Sequence, residues 1–173
     1  MIDKVLKADF FNRAADTVAF DLIGCPLCWN YAGRSDSRII TETEAYTGPD
    51  DLASHAAKGR TKRTEVMFGE PGRLYIYLVY GLHWMLNVVT GPVGYPAAVL
   101  IRGLQGINGP ARLTKVIGVT DSLNGKPAEK KTGVWFIEGP RPPGSKIIRS
   151  GRIGVEYAGP VWAAKPYRFT LGV

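Results

Sequence analysis

No run of about 18 apolar residues occurs in this 173-residue chain, so no segment reads as a membrane-spanning helix. Met1-Ile2-Asp3-Lys4 opens it without the apolar stretch of a secretory leader. The expected location is therefore the cytoplasm, or the nucleus in a eukaryote. Cysteine is scarce: Cys25 and Cys28 form one C-x-x-C. A structural zinc ion takes four ligands, and the two histidines, His55 and His83, lack finger-like spacing to that pair. No metal is expected. A thioredoxin-like redox pair sits at a helix start, whereas this one opens an apolar strand-like run, so both cysteines read as small buried residues. No G-x-G-x-x-G and no regular βαβ alternation occur, which argues against a dinucleotide cofactor. Repeats and linkers are also missing, and the length suits one domain over 1–173.

Acidic residues are scarce in one part only. Residues 1–51 carry five basic and nine acidic side chains, while residues 52–173 carry seventeen and six. Lys58, Arg60, Lys62 and Arg63 crowd one short stretch, and after Gly139 six cations face only Glu156. A basic region this extensive points to a polyanion such as nucleic acid, although a solvated surface is the simpler account of any one cluster.

Periodicity gives an outline. Ala15, Val18, Ala19 and Leu22 have helical spacing, with Gly24 as a stop, which predicts a helix over about 12–23. Strands are predicted over 26–31, 39–46, 74–80, 85–90, 97–102, 134–137, 147–149, 152–155 and 167–171. A turn is expected over 33–37 and a basic loop or short helix up to Gly69. Gly109-Pro110 starts a second helix with Leu113, Val116 and Ile117 as its buried stripe. The expected fold is α+β: a curved, mainly antiparallel sheet flanked by a few helices.

The segment Thr41-Glu42-Thr43-Glu44-Ala45-Tyr46 holds the first chemistry. On a strand, side chains two apart share a face, so Ile40, Glu42, Glu44 and Tyr46 are expected on one side. A carboxylate would stand roughly 7 Å along the strand from an aromatic ring. Taken alone, the segment is more simply a half-buried edge strand with solvated acids.

Its company changes the reading. Thr43-Glu44-Ala45-Tyr46, Gly48-Pro49-Asp50-Asp51, Ser54-His55, Met67-Phe68, Pro71-Gly72-Arg73-Leu74-Tyr75-Ile76-Tyr77, Tyr80-Gly81 and Asn87 follow one another in order. Gly109-Pro110-Ala111-Arg112-Leu113, Arg152-Ile153-Gly154-Val155 and Trp162-Ala163-Ala164-Lys165-Pro166 come after them. Over nearly the whole chain this ordered set resembles the alkyladenine (3-methyladenine) DNA glycosylase family, the single-domain type unrelated to helix-hairpin-helix glycosylases. The resemblance implies removal of damaged purines from double-stranded DNA by hydrolysis of the N-glycosidic bond. The substrates it implies are 3-methyladenine, 7-methylguanine and hypoxanthine, with ethenoadenine as an extension.

The resemblance assigns roles residue by residue. Glu44 activates the attacking water, and Arg102, at the end of an apolar run where a lone charge needs a partner, lies beside it. Tyr46 and His55 flank one side of an extruded base and Tyr77 the other. Asn87 crowds the exocyclic amine of guanine, and the Ile153 carbonyl holds the water. Tyr80 fills the gap left in the duplex, with Leu82 and His83 beside it in the minor groove. From their charge rather than from the resemblance, Lys58, Arg60, Lys62 and Arg63 are expected to bind DNA. No lysine falls within the matched catalytic motifs, which implies a monofunctional enzyme; a monomer without cofactor is expected separately. Two other readings stay open on the residues alone. One is a silent nucleic-acid-binding module. The other is a glycoside hydrolase using Glu42 and Glu44 as paired acids.

Overall fold

The computed structural model describes residues 4–172. Nine strands form one mainly antiparallel sheet: β1 Pro26–Tyr31, β2 Arg34–Tyr46, β3 Leu74–Val79, β4 His83–Thr90, β5 Ala97–Leu104, β6 Ile107–Asn108, β7 Val134–Phe136, β8 Ile147–Ser150 and β9 Arg168–Leu171. The main order is β3-β4-β5-β2-β1-β7, with β6 on β5 and the β8–β9 pair joined to β2. Four short helices accompany it: α1 Ala8–Phe11, α2 Ala15–Leu22, α3 Pro110–Ile117 and α4 Gly159–Ala163. The α+β expectation therefore holds.

Strand parity gives the sheet two different faces. Leu74 and Ile76 of β3, Leu86 and Val88 of β4, and Val99 and Ile101 of β5 join the main core with α2 and α3. The alternate residues Tyr75, Tyr77, Met85, Asn87, Ala98, Leu100 and Arg102 line a cavity on the opposite face. Both faces are thus covered, which explains why β4 and β5 read as nearly continuous apolar runs.

Several expected boundaries move, each for a local reason. Ala32 and Gly33 both take positive φ, so the first hairpin turns in two residues and β2 begins at Arg34 rather than after a 33–37 turn. The helix expected over about 12–23 is the shorter α2, Ala15–Leu22, and α1, Ala8–Phe11, precedes it where no helix was expected. Val116 is 46% exposed, and Thr114 takes its place in the buried stripe of α3 by bonding its hydroxyl to the Trp84 carbonyl. The expected strand over 152–155 is a turn, because Arg152 is drawn inward and Gly154 takes φ +73°.

One correction bears on the site. Register shifts in β2 between Ile40 and Glu42, and between Glu42 and Thr43, mark a β-bulge. Ile40 consequently lies in the core with Ala45. Glu42, Glu44 and Tyr46 keep a common side without it, and Thr43 bonds to the Ala19 carbonyl of α2.

Candidate active site

A cavity of about 340 Å³ opens between the sheet, the 47–58 segment after β2 and the 151–158 turn. That volume lies in the range of small-molecule sites. Tyr46, His55, Tyr77, Asn87, Arg102 and Ile153 all line it, with Tyr80 at its edge. Seven residues expected at the site, drawn from four strands and the segments around them, are therefore neighbours.

Glu44 lies under the lining, with none of its surface exposed. Its Oε2 accepts a hydrogen bond from the Tyr46 hydroxyl at 2.9 Å, and its Oε1 accepts one from the Ile153 backbone N–H at 2.8 Å. Arg102 Nε stands 3.5 Å from Oε1. Burial raises the Glu44 carboxyl above its ordinary range, and Arg102, the Ile153 amide and Tyr46 oppose that effect without cancelling it. The Tyr46 phenol is raised for the same first reason, burial, reinforced by the Glu44 charge, so it remains a donor.

Arg102 has a nearer partner than expected. Its Nε donates to Glu42 at 2.9 Å, and Arg168 Nε donates to the same oxygen at 2.7 Å. Burial opposes ionisation of Glu42, but the bonds from Arg168 and Arg102 outweigh it and hold its carboxyl below the usual range. Glu42 is thereby an ionised ion-pair partner, unsuited to act as a proton donor beside Glu44. The paired-acid hydrolase reading loses its basis.

The aromatic wall is built on β3. His55 and Tyr77 meet edge to face with centroids 4.6 Å apart, and Tyr75 tilts against Tyr77 at 5.3 Å. The Tyr75 hydroxyl lies 3.2 Å from His55 Nδ1. Burial, aided by the charges of Arg63 and Lys58, pushes His55 down to about 4. A neutral imidazole adds no repulsion against a cationic base. NMR titration of the His55 ring is therefore expected to show no protonation between about pH 6 and 8, where an ordinary histidine titrates. A midpoint inside that window would contradict the stated burial. The Asn87 amide donates to the Tyr75 carbonyl at 3.0 Å, which locks its side chain in the cavity wall.

Tyr80 stands apart. It is 90% exposed with φ +53°, on a three-residue connection completed by Gly81 at φ +65° and Leu82, 74% exposed. His83, the first residue of β4, is exposed beside it. The basic stretch is less uniform than its sequence: Arg60 pairs with Glu65, and Arg63 lies 5.3 Å over the Tyr77 ring. Lys58 and Lys62 are exposed. Ile153, whose carbonyl was expected to hold the water, donates its amide to Glu44.

Sequence reasoning missed three participants. Asp51 and Arg152 form a buried ion pair beside Tyr46, and Tyr157 lines the cavity while its hydroxyl donates to the Ala53 carbonyl at 2.6 Å. In the sequence, Asp51 and Arg152 fall within the matched motifs, as part of a chain breaker and of the cationic excess after Gly139, with no role assigned to either. Among the described residues no cluster of potential ligands for a metal is present, and no helix is long and apolar enough to cross a membrane.

An enclosed carboxylate beside a cavity walled by aromatic rings, with a bare tyrosine at its lip, offers a place for a flat ring with an acidic group behind it. The model of the family described as methylpurine-DNA glycosylase matches residues 9–108 and 105–172. A Myxococcus xanthus protein is 44% identical over 173 residues, covering 94% of this chain and 88% of its own. An Anaeromyxobacter dehalogenans protein (strain 2CP-1) is 42% identical, covering 96% and 81%, and one from Methanocella arvoryzae is 41% identical, covering 95% and 91%. All three carry the provisional name 3-methyladenine DNA glycosylase. The chain belongs to the methylpurine-DNA glycosylase family, whose members are DNA N-glycosylases.

Proposed function

We propose that this protein extrudes a damaged purine from duplex DNA into the cavity and hydrolyses its N-glycosidic bond, leaving an abasic site. The observation that carries the reading is the Glu44 carboxylate, oriented by two donors directly behind the base-sized aromatic cavity. Each of its oxygens accepts one short bond and retains a second lone pair for water. Ionised Glu44 takes a proton from that water and stabilises the developing oxocarbenium charge. The rings of Tyr46, His55 and Tyr77 clasp the base, and a cationic alkylated purine gains about 1–2 kcal/mol from such faces in a dry site. Asn87 narrows the wall against guanine.

No lysine lies among the described residues lining the cavity, which favours a monofunctional hydrolase over a Schiff-base lyase. The protein acts as a monomer, beside the nucleoid in a prokaryotic cytoplasm. Its substrates are 3-methyladenine, 7-methylguanine, hypoxanthine and ethenoadenine.

The test uses duplexes each carrying one of these lesions. Purified protein is expected to release hypoxanthine and leave an alkali-labile site. The acid limb of the rate profile is expected above the ordinary glutamate range, because the base must be ionised and burial raises its carboxyl. Tight, salt-sensitive DNA binding without release of any lesion would instead identify a silent binding module.

A further inference from the structure

Both groups that hydrogen-bond Glu44 trace back to one buried ion pair. Arg152 donates from Nη1 and Nη2 to the two oxygens of Asp51, at 2.6 and 2.8 Å. Neither charged group is exposed. The Asp51 carboxylate also accepts from the backbone N–H groups of Thr47 and Ala53, so the 47–54 segment closes around it. Arg152 Nη1 donates in addition to the Ala45 carbonyl at 2.9 Å, at the end of β2, and its guanidinium lies 4.8 Å over the Tyr46 ring. The next residue along the chain is Ile153, whose amide is bonded to Glu44.

We propose that the Asp51–Arg152 pair is a positioning latch for the Glu44 carboxylate, fixing the Ile153 amide on one oxygen and the Tyr46 hydroxyl on the other. This rests on the reading of Glu44 as the base. Neither latch residue donates to or accepts from Glu44; the Arg152 charge favours its ionised form across space, and the pair positions it through the Ile153 amide and Tyr46. The geometry requires arginine. Its planar fork spans both Asp51 oxygens while a further Nη1 N–H reaches the Ala45 carbonyl and one face meets the Tyr46 ring, which a lysine ammonium cannot reproduce. A second tie, from the Tyr157 hydroxyl to the Ala53 carbonyl, joins the same two segments at the surface. Ala53, Val155 and Ala158 pack between them with Tyr46 and Trp162.

A merely structural pair predicts a different result from a latch. Removing one partner of a buried ion pair leaves an uncompensated charge, whereas replacing both by apolar residues often restores stability. The test compares Asp51→Asn, Arg152→Lys and the double variant Asp51→Leu/Arg152→Met by single-turnover release of hypoxanthine. Rates are normalised to sites titrated with a duplex holding an uncleavable abasic analogue, so partly unfolded samples still report. Loss of positioning is expected to lower the rate about 100-fold in all three, since displacement of a reacting group by an ångström has that effect. In Asp51→Asn and Arg152→Lys, which keep a positive charge at 152, the acid limb is expected to move to higher pH, because the lost N–H and O–H donors favour the ionised carboxylate. Affinity for the analogue is expected to hold. Recovery of the rate in the double variant, or an unshifted acid limb, overturns the latch while Glu44 stands. An inactive wild-type protein overturns the function and the latch together.

Discussion

Glu44→Gln is expected to abolish base release while the protein still binds lesion-containing duplex. The amide keeps the shape of the side chain and can still accept from the Ile153 N–H, but it cannot take a proton from water. Positioned bases contribute about 10²- to 10⁴-fold, and a loss of that size in single-turnover rate is expected. The same variant is expected to be more stable than the parent at neutral pH. The folded Glu44 carboxyl is raised above its unfolded value, chiefly by burial. Its protonated form is thus favoured by folding, and that contribution is full below the unfolded value and lost as pH rises through the folded one. At neutral pH the buried charge opposes folding and Gln relieves it. The gain in Tm, about 2–4 °C for each kcal/mol relieved, should shrink towards acid pH. Full activity in Glu44→Gln would remove Glu44 from the chemistry, and a lower neutral Tm would show that its hydrogen bonds outweigh its burial.

Tyr80→Ala is expected to weaken lesion binding and slow excision together, by about 10- to 100-fold, the loss of one stacked ring worth about 1–3 kcal/mol. Tyr80 contributes nothing visible to the core, being 90% exposed. A folding defect is therefore not expected, and Tm should stay near the parent value, since alanine keeps the Cβ that meets φ +53°. Unstacking the duplex costs a few kcal/mol per step, and a ring inserted in the vacated place offsets part of it. A base that is already unpaired carries less of that cost. The defect should accordingly be smaller on a lesion in single-stranded DNA than on the same lesion in duplex. Equal defects on both would show that Tyr80 does not act as a wedge.

Much of this was legible in the chain because the sheet keeps strict alternation over β3 to β5. Tyr75 and Tyr77 share a face, Asn87 and Arg102 follow the same parity, and each lands on the cavity. Three things escaped for physical reasons. A bulge has no sequence mark, so Ile40 was placed with Glu42. Long-range ion pairs carry no local signal: Asp51 and Arg152 are about a hundred residues apart, and each alone looks solvated. Glu42 likewise gains its partners, Arg102 and Arg168, only through the pairing of β2 with β5 and with β9. Burial then reverses the expected exposure of such groups, which composition cannot reveal.

The bulge in β2 means that counting matters as much as chemistry along this stretch. A strand that lost one residue between Ile40 and Glu42 would present Thr43 and Ala45 to the cavity and press the two acids into the apolar layer against α2. A conservative-looking deletion there would be more damaging than exchanging any single amino acid, while the hairpin at Ala32-Gly33, upstream of the shift, should absorb length changes quietly. Insertion and deletion scanning across 30–46 should therefore show a sharp border of tolerance at residue 40.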